Sequence, residues 1–405
     1  MEFIKEILTI IDLYAAAFLV YYIITGLCVL KEKEKIKHGN INHKFGIIIP
    51  ARNEEKVIAN LLKSLKKQEY PKELYDIYVV VNNCKDKTKE IALANGVKVI
   101  ECVRPVAAKG TALRLAFKKL QEKDYDAYLV FDADNIVHPK FISKMNDAFC
   151  MGYELAQGFR DSKNPSSTWV SSSYSLHYLI HNIFLNNARM HIDKSSFING
   201  TGFMVSKNFL DKRNFKAHTL TEDLELTAQC ALENKKIAYV EDAITYDEQV
   251  ETFKKSWKQR KRWSIGTIQC FKYYFSPLLK KGIKNKRFAC IDAIIFFSAP
   301  FTQFLTVISY IGHIMLAICT KTPINYGIKI VSMMIGYFAS VILSIIAVKY
   351  SKKHIMTYIK GIIMLPIFIL TWIPINVMAC FSKKNKWEQI EHNQDITIEN
   401  MMKAS

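Results

Sequence analysis

Two carboxylates two residues apart, Asp132 and Asp134, follow directly on an apolar run in the first half of the chain. Side chains of this type and spacing can share a hard divalent cation such as Mg²⁺, which proteins usually hold with one or two carboxylates together with substrate phosphates. A cation there would neutralise charge that develops on a diphosphate leaving group. Acidic residues are common in loops, so the triplet alone is weak evidence for such a site.

A second acidic pair, Glu222 and Asp223, follows Thr221 at the start of a predicted helix. A threonine N-cap with acidic residues in the first turn stabilises a helix whatever its function. The functional interpretation makes Asp223 a general base that removes a proton from a sugar hydroxyl. The two interpretations are compatible, because a capped helix start also fixes the position of a base.

The segment from Gln259 to Trp263 combines a glutamine, the arginine Arg262 and an aromatic ring at helical spacing. Such side chains can bind a diphosphate and stack against a sugar ring. The alternative is a basic helix beside the membrane with an interfacial tryptophan, and Phe253 and Trp257 on the same stretch are typical of one. The segment by itself does not separate these two interpretations.

The region before these motifs alternates between short apolar runs and helical periodicity. Strands are predicted at 45–49, 77–81, 97–101 and 128–131, and helices at 54–67, before 94 and at 109–120. This alternation predicts an α/β fold with a parallel, doubly wound sheet, in which ligands bind beyond the carboxyl ends of the strands. Polar clusters at 53–55, 82–83 and 132–134 occupy that position, so one bound molecule could contact all three. The absence of G-x-G-x-x-G and Walker motifs argues against a dinucleotide-binding or P-loop enzyme.

The 405 residues are 50% hydrophobic and carry a formal net charge of +19. Many basic residues lie beside apolar runs, at 31–37, 280–287, 349–353 and 383–386. This placement is typical of the positive-inside bias and of contact with anionic headgroups, and a basic surface also attracts an anionic nucleotide donor. No nucleic-acid motif is present, so nucleic acid is not expected as a partner. Nine cysteines without paired spacing indicate small buried thiols in a reducing cytosol.

Apolar runs at both ends of the chain predict membrane helices. The run 7–30 is long enough to cross a bilayer, and its positive flank follows it, which favours an uncleaved anchor over a signal peptide. Further runs lie at about 288–320, 324–349 and 354–381. The predicted organisation is a transmembrane helix (1–30), a cytosolic α/β domain (31–250), interface helices (251–287), a C-terminal transmembrane region (288–381) and a tail (382–405). A further amphipathic interface helix is expected at 171–187.

If every apolar run crossed the membrane once, the location of the basic tail would conflict with the positive-inside bias. The first anchor places 31–287 in the cytosol, and three full spans after it would put the basic tail outside. Pro366 and Pro374 could break the run 354–381 into a re-entrant or interfacial piece. Alternatively, 288–299 could be an interface helix. A cytosolic tail is the favoured interpretation.

The order of the motifs along the chain resembles that of a known family. The chain has P-A-R-N-E-E at 50–55, N-N-C at 82–84, K-G at 109–110, D-x-D at 132–134, T-E-D at 221–223 and Q-x-x-R-W at 259–263, with membrane segments following. It resembles the processive membrane branch of glycosyltransferase family 2, the group of cellulose, chitin, hyaluronan and mixed-linkage glucan synthases. The resemblance covers nearly the whole chain. It implies that 31–250 has the Rossmann-like GT-A fold and that the enzyme inverts the anomeric carbon.

The resemblance also implies roles for individual residues and a UDP-sugar donor with Mg²⁺ or Mn²⁺. The catalytic residues would be Asp223, Glu222 and Asp134, and the metal ligands Asp134 and Asp132. The acceptor would be bound by Gly200, Thr201 and Trp263. The nucleotide sugar would be bound by Ala51, Asn53, Glu54, Asn82, Lys109, Asp132, Gln259, Arg262 and Trp263.

The chain departs from the family pattern at two places. Asn82 occupies a position where relatives often carry an aspartate for the uracil, although an amide can still hydrogen-bond a base edge. Ala107 and Ala108 precede Lys109 in the diphosphate-binding loop. In relatives a segment near 387–392 resembles a gating loop over the donor site, whereas the simple alternative is an amphipathic tail.

The resemblance predicts an enzyme of the cell membrane, multi-pass, with a cytoplasmic catalytic domain. It would polymerise sugar from a UDP-sugar into a β-linked polysaccharide and translocate it, with β-glucan from UDP-glucose favoured and the 1,3 or 1,4 linkage open. The expected partners are the UDP-sugar, the growing polysaccharide and membrane lipids, and accessory subunits remain open. The alternatives are a polymer synthase that uses UDP-N-acetylglucosamine, a non-processive transferase acting on a lipid, and a membrane scaffold with a degenerate transferase domain.

Overall fold

The computed structural model describes residues 2–102, 106, 108–213, 215, 217–321, 326–382 and 396–404. Within these residues one sheet of eight strands has the order β3-β2-β1-β4-β7-β6-β8-β5. The strands are β1 (Phe45–Ala51), β2 (Tyr75–Val81), β3 (Lys98–Glu101), β4 (Ala127–Val130), β5 (Ile136–Val137), β6 (Leu155–Ser162), β7 (Phe203–Ser206) and β8 (Ile237–Asp247).

The helices lie on both faces of the sheet and in two apolar groups at the ends of the chain. In the first 250 residues they are α1 (Glu2–Leu27), α2 (Ile58–Lys66), α3 (Thr88–Ala94), α4 (Lys109–Leu120), α5 (Phe141–Cys150), α6 (Trp169–Ile180), α7 (Ala188–Met190), α8 (Lys207–Arg213) and α9 (Glu222–Glu233). The later ones are α10 (Phe253–Lys284), α11 (Phe288–Phe297), α12 (Ala299–Cys319), α13 (Tyr326–Tyr350), α14 (Ile359–Leu370), α15 (Trp372–Cys380) and α16 (Ile398–Ala404).

Strands β3, β2, β1 and β4 are parallel, and the predicted doubly wound α/β sheet is confirmed. β1 is a run of apolar residues in which Ile47, Ile48 and Ile49 are fully buried, because helices cover both faces of the sheet. Their side chains alternate between the two cores: Ile47 and Ile49 pack on one face and Ile48 on the other. The sheet then continues through β7, which is antiparallel to β4 and β6.

Helix α2 begins later than the periodicity at 54–67 predicts. Asn53 has a φ of 56°, and the Glu54 carbonyl accepts hydrogen bonds from the N–H groups of Val57 and Ile58. The polar residues after β1 therefore form a loop before the helix starts at Ile58. The helix predicted at 109–120 agrees with α4 in both bounds.

Four apolar helical stretches are long enough to cross a membrane within the described residues: Glu2–Leu30, Ala299–Cys319, Ile330–Tyr350 and Ile355–Cys380. Helices α1 and α12 run antiparallel, because Asp12 bonds to Ser309 and His313, whereas Tyr14, later in α1, bonds to Thr302, earlier in α12. The run 288–320 is two helices, α11 and α12, instead of one. The run 354–381 is likewise divided, into a 3₁₀ turn (Ile355–Tyr358), α14 and α15.

The segment formed by α14 and α15 lies along the sheet-bearing unit over its whole length. At its start the Gly361 N–H donates to Ser172 Oγ on α6 at 2.9 Å. In its middle Arg260 on α10 donates to Thr371 Oγ1 at 2.7 Å. At its end Ala379 packs with Ile265 and other apolar residues of α10. Both ends of this segment therefore contact helices that pack against the sheet-bearing unit.

The predicted interface helices take a simpler form than expected. The stretch 251–287 contains one continuous helix, α10, of 32 residues. The stretch 171–187 lies in α6 and in a π-helical segment, His181–Asn187, that continues it. In the tail, α16 returns to the sheet, where Ile398 and Met401 pack against Ile136 and Tyr246. The segment predicted as a gating loop, 387–392, lies outside the described residues.

Candidate functional site

The D-x-D triplet lies in the loop between β4 and β5, at the carboxyl end of β4. The Asp132 N–H is held by Asn135 Oδ1 at 3.1 Å and by Thr201 Oγ1 at 3.0 Å. Asp134 is 7% exposed and accepts a hydrogen bond from the Glu248 N–H at 3.4 Å. The Asp132 backbone and the Asp134 carboxylate are thus held by residues of the loops beside β5, β7 and β8.

Lys109, at the start of α4, joins three of the predicted sites. Its Nζ lies 2.5 Å from Asp132 Oδ1 and 3.6 Å from Glu222 Oε1, and it donates to the Gly200 carbonyl at 2.6 Å. Burial alone would lower the pKa of Lys109, but Asp132 and Glu222 outweigh burial and raise it. The neighbouring carboxylates therefore favour the charged form of Lys109 in the middle of the site.

The acidic pair at the start of α9 faces this lysine. Burial raises the pKa of Glu222 to about 7, although Lys109 opposes the shift, and burial also raises the pKa of Asp223. The side chain of Thr221 makes no capping hydrogen bond to α9; its hydroxyl instead lies 3.6 Å from Cys270 Sγ on α10. The acids are therefore positioned by packing against α10, and not by the threonine cap that the sequence suggests.

The segment predicted to contact the acceptor lies close to Asp223, the predicted base. Gly200 has a φ of 82°, which favours glycine, and a Cβ built there would lie 3.4 Å from Asp223 Oδ2. Thr201 is fully buried, and its hydroxyl bonds to Asn135 as well as to the Asp132 N–H. The predicted base, the predicted acceptor segment and the D-x-D loop are thus adjacent.

The residues predicted to bind the nucleotide lie at the ends of β1 and β2. Ala51 ends β1 and accepts a hydrogen bond from the Asn82 N–H at 3.0 Å. The amide side chain of Asn82 is bonded at both its polar atoms to the backbone of Val106, at 3.0 Å each. Asn82 therefore fixes the loop after β3, and a base edge would have to compete with these two bonds.

Glu54 brings a third carboxylate towards the D-x-D loop. Burial, together with the charges of Asp134 and Asp132, raises the pKa of Glu54 to about 9. No group of three or more His, Cys, Asp or Glu side chains forms a ready-made metal site among the residues that the structure describes. The oxygen donors of Asp132 and Asp134 fit a hard cation that completes its coordination with substrate phosphates and water.

The Gln259–Trp263 segment lies in the first third of α10, next to the start of α9. A Cβ on Gly266 would lie 2.4 Å from a Thr221 methyl group, so the two elements are in direct contact. Trp263 packs edge-on against Tyr174 at 5.9 Å and is stacked on Trp372 at 6.4 Å. Gln259 and Arg262 are half-buried on the same stretch of helix.

An arginine that the sequence interpretation did not single out, Arg160, lies near Asp223, the predicted base, and its charge lowers the pKa of that carboxyl group against the larger effect of burial. Arg160 donates from Nε and Nη2 to Asp247 Oδ2, at 2.9 and 2.6 Å, and from Nη1 to the Asn199 carbonyl at 2.9 Å. Its guanidinium also lies 3.9 Å from the centre of the Tyr178 ring. No local pattern could reveal it, because its partners come from β8, the acceptor segment and α6.

Comparison with known proteins finds a matching family model and several similar sequences. The model of the family described as glycosyltransferase like family 2 matches residues 43–266. The probable glycosyltransferase YdaM of Bacillus subtilis is 29% identical over 278 residues, 65% of this chain and 64% of that protein. The beta-monoglucosyldiacylglycerol synthase of Nostoc is 25% identical over 305 residues, 72% of this chain and 63% of that protein. The chain thus spans somewhat less than two thirds of the length of these curated relatives.

A solved structure resembles the chain over most of its length. The mannosyltransferase PcManGT from Pyrobaculum calidifontis, in complex with GDP-Man and Mn²⁺, aligns with a TM-score of 0.61 and 14% identity, covering 91% of this chain and 99% of that one. At this identity the likeness concerns the fold. The predicted Rossmann-like GT-A fold is confirmed, whereas the processive branch of the family stays a prediction.

Proposed function

This chain belongs to glycosyltransferase family 2, and on that premise we propose that it transfers a sugar from a UDP-sugar to an acceptor hydroxyl with inversion at the anomeric carbon. The observation that carries the proposal is the contact of Lys109 with Asp132, Glu222 and the Gly200 carbonyl. This contact joins a diphosphate-binding cation, the D-x-D loop and the acceptor segment within one site. Asp223 lies beside the acceptor segment, where an attacking hydroxyl would be bound.

The mechanism is a single displacement. Asp223 accepts the proton of the acceptor hydroxyl, whose oxygen forms the new bond to the anomeric carbon as the bond to the diphosphate breaks. Lys109 and Arg262 stabilise the negative charge that the leaving diphosphate carries. When bound by Asp134 and Asp132, Mg²⁺ or Mn²⁺ supplies Lewis-acid stabilisation of the same charge. One displacement on an α-linked donor gives a β-linked product.

We propose a lipid as the acceptor, in preference to a growing polysaccharide. The relatives that align over 72% of the chain include lipid glucosyltransferases by name, the beta-monoglucosyldiacylglycerol synthases. The position of α14 and α15 supports the same choice, because this apolar segment lies against α6 and α10 beside the site. An acceptor that resides in the bilayer would reach Asp223 without leaving the membrane surface.

Processive polymer synthesis, which the sequence favours, remains the second candidate. It is supported by the Q-x-x-R-W motif and by the stack of Trp263 on Trp372, because aromatic faces suit sugar rings. In that case the same base and donor site would act repeatedly on one chain.

We further propose that the catalytic unit and α16 lie in the cytosol, with three membrane crossings by α1, α12 and α13. The contacts of α14 and α15 with α6 and α10 support a segment that enters the interface and returns. The packing of Ile398 on Tyr246 supports a tail on the same side as the sheet. This arrangement reconciles the basic tail with the positive-inside bias.

The test is transfer by the purified, full-length protein in lipid vesicles with Mn²⁺. UDP-glucose and UDP-N-acetylglucosamine are supplied separately, and the products are divided into a lipid extract and a high-molecular-weight fraction. A single-sugar lipid made by the wild type and absent with Asp223→Asn supports the proposal. A polymer that linkage-specific glucanases digest would favour the second candidate, and no UDP release with either donor would contradict both.

A further inference from the structure

The backbone of the acceptor segment, residues 199–202, is bonded to two cationic side chains from different elements. Lys109 on α4 donates to the Gly200 carbonyl at 2.6 Å, and Arg160 on β6 donates from Nη1 to the Asn199 carbonyl at 2.9 Å. Hydrogen bonds with an ionised donor are about twice as strong as those between neutral groups. Two successive carbonyls of the segment are therefore held by charge-assisted bonds.

A second side chain of β6 holds further backbone groups of the segment. Gln157 is fully buried, its Oε1 accepts from the Asn199 N–H at 2.8 Å, and its Nε2 donates to the Thr201 carbonyl at 2.9 Å. Side chains three residues apart point to opposite faces of a regular strand. The pairing of β6 with β8 shifts register between Gln157 and Arg160, and both side chains contact the acceptor segment.

The guanidinium of Arg160 is itself anchored on two sides. Its Nε and Nη2 donate to Asp247 Oδ2 at 2.9 and 2.6 Å, and the Tyr178 ring lies over it at 3.9 Å. The side chains of Arg160 and Asp247 are only 14% and 4% exposed. A guanidinium offers several donors in one rigid fork, whereas a lysine has a single nitrogen. Only an arginine can therefore bond to Asp247 and to the Asn199 carbonyl in this manner.

The anchor of Arg160 continues to the D-x-D loop. The residue after Asp247 is Glu248, whose N–H donates to Asp134 Oδ2 at 3.4 Å. Lys109 provides a parallel connection, because its Nζ lies 2.5 Å from Asp132 Oδ1. The two held carbonyls of the acceptor segment are thus connected to the two carboxylates of the D-x-D loop, one through each cation.

We propose that Arg160 is a positioning residue of the transfer reaction: anchored by Asp247, it holds the acceptor segment at the distance from Asp223 that the attacking hydroxyl requires. This inference rests on the proposed transfer and adds to it a residue that acts through the backbone of the segment. A misplacement of about 1 Å can cost about 10²-fold in rate, so the loss of one such bond is expected to be visible in kcat.

Arg160 also contributes to the charge around the base. Burial raises the pKa of Asp223, and the cations Lys109 and Arg160 oppose that shift. The charged and titratable groups that face Asp223 are Glu222 on α9, Lys109 on α4, Arg160 on β6, Tyr178 on α6 and Cys270 on α10. Removal of the Arg160 charge leaves one cation against burial, so the pKa of Asp223 rises further.

The first test compares Arg160→Lys with Arg189→Lys in the full-length protein. Arg189 is the matched control, because it also makes a fork to a buried aspartate, Asp292, and donates from Nη1 to a carbonyl, that of Leu185. We expect Arg160→Lys to lower kcat by about 10²-fold, with unchanged affinity for UDP and Mn²⁺ in calorimetry. Arg189→Lys should keep kcat near that of the wild type, and thermal unfolding of both variants checks that each is folded.

The second test separates the charge of Arg160 from its geometry. We expect Arg160→Gln to move the acidic limb of the kcat/KM profile for the acceptor to higher pH, whereas Arg160→Lys, which keeps the charge, leaves the limb in place. A loss of packing alone would lower kcat without this difference between the two variants. The lysine variants keep the buried charge, so their kcat values decide the proposal even if Arg160→Gln does not fold.

A third measurement does not depend on turnover. Hydrogen–deuterium exchange of the peptide that contains 199–202 should be faster in Arg160→Lys than in the wild type and in Arg189→Lys. Wild-type kcat in Arg160→Lys, equal losses of kcat in both lysine variants, or unchanged exchange at 199–202 would overturn the proposal. Failure of the proposed function would instead appear as no UDP release by the wild type with any donor, and the exchange rates would still decide whether Arg160 holds the segment.

Discussion

Gly200 lies so close to Asp223 that a Cβ added at the glycine would stand 3.4 Å from a carboxylate oxygen of the aspartate. The acceptor segment and the base are therefore adjacent by their backbone geometry. We expect Gly200→Ala to lower kcat for transfer by about tenfold or more, because the methyl group crowds the space that the acceptor hydroxyl needs and strains a φ of 82°. Gly152→Ala is the matched control: its φ is 86°, and nothing lies within 4 Å of the added Cβ. Equal losses of activity in both variants would mean that the effect is general strain.

Replacement of the proposed base separates catalysis from donor binding. We expect Asp223→Asn to lower kcat by about 10²- to 10⁴-fold with little change in affinity for the UDP-sugar, since the amide cannot accept the proton. Isothermal titration with UDP and a transfer assay measure the two quantities. A variant that still transfers sugar at the wild-type rate would remove Asp223 from the mechanism.

The pH dependence of transfer should report the ionisation of Glu222 and Asp223. The pKa values of Glu222 and Asp223 are both raised, so the base is protonated and inactive at pH values where an exposed carboxylate is still ionised. We expect Glu222→Gln to move the acidic limb of the kcat/KM profile to lower pH, because the loss of a neighbouring negative charge lowers the pKa of Asp223. A limb that stays in place or moves to higher pH would contradict this coupling.

Lys109 should be essential because it contacts both acidic sites. We expect Lys109→Gln to lower kcat by about 10²-fold or more, since the developing charge on the diphosphate loses a buried cation. Lys98→Gln is the control, because Lys98 also forms an ion pair, with Asp76 at 2.7 Å, but on the exposed surface. Its activity should remain near that of the wild type.

Cysteine labelling tests the membrane topology. In a variant that keeps only Cys319, at the end of α12, a membrane-impermeant maleimide should react from outside intact cells. In a second variant whose only cysteine replaces Met402, an exposed residue of α16, labelling should require permeabilised cells. Retained transfer activity checks that each variant is folded. Labelling of the Met402 position in intact cells would mean that 355–380 crosses the membrane.

The sequence predicted those parts of the structure that depend on local pattern. The parallel strands and the loop with Asp132 follow from runs of β-branched residues and the polar residues after them, and α4 agrees in both bounds. Thr221 was expected to cap α9, but its hydroxyl contacts Cys270 instead, because α10 packs against it. The apolar composition of 354–381 indicates that the segment is buried. Composition does not show whether lipid or protein surrounds it.

Contacts between distant parts of the chain could not be predicted from local sequence patterns. Arg160 is bound by Asp247 in another strand and by the backbone of the acceptor segment. The ring of His177 likewise lies 6.1 Å from the ring of Trp372, and neither residue has a local signal that points to the other. Such sites appear only when the packing of the helices is known.

Helix α10 is continuous from Arg260, which holds the end of α14, to Gly266, which touches Thr221. At about 1.5 Å per residue these two contacts are about 9 Å apart along one rigid rod. A displacement of α14 would therefore be passed along α10 to Thr221 and the start of α9, which carries Asp223. In the proposed membrane arrangement, lateral pressure in the bilayer would thus act on the geometry around Asp223, alongside the concentrations of donor and acceptor.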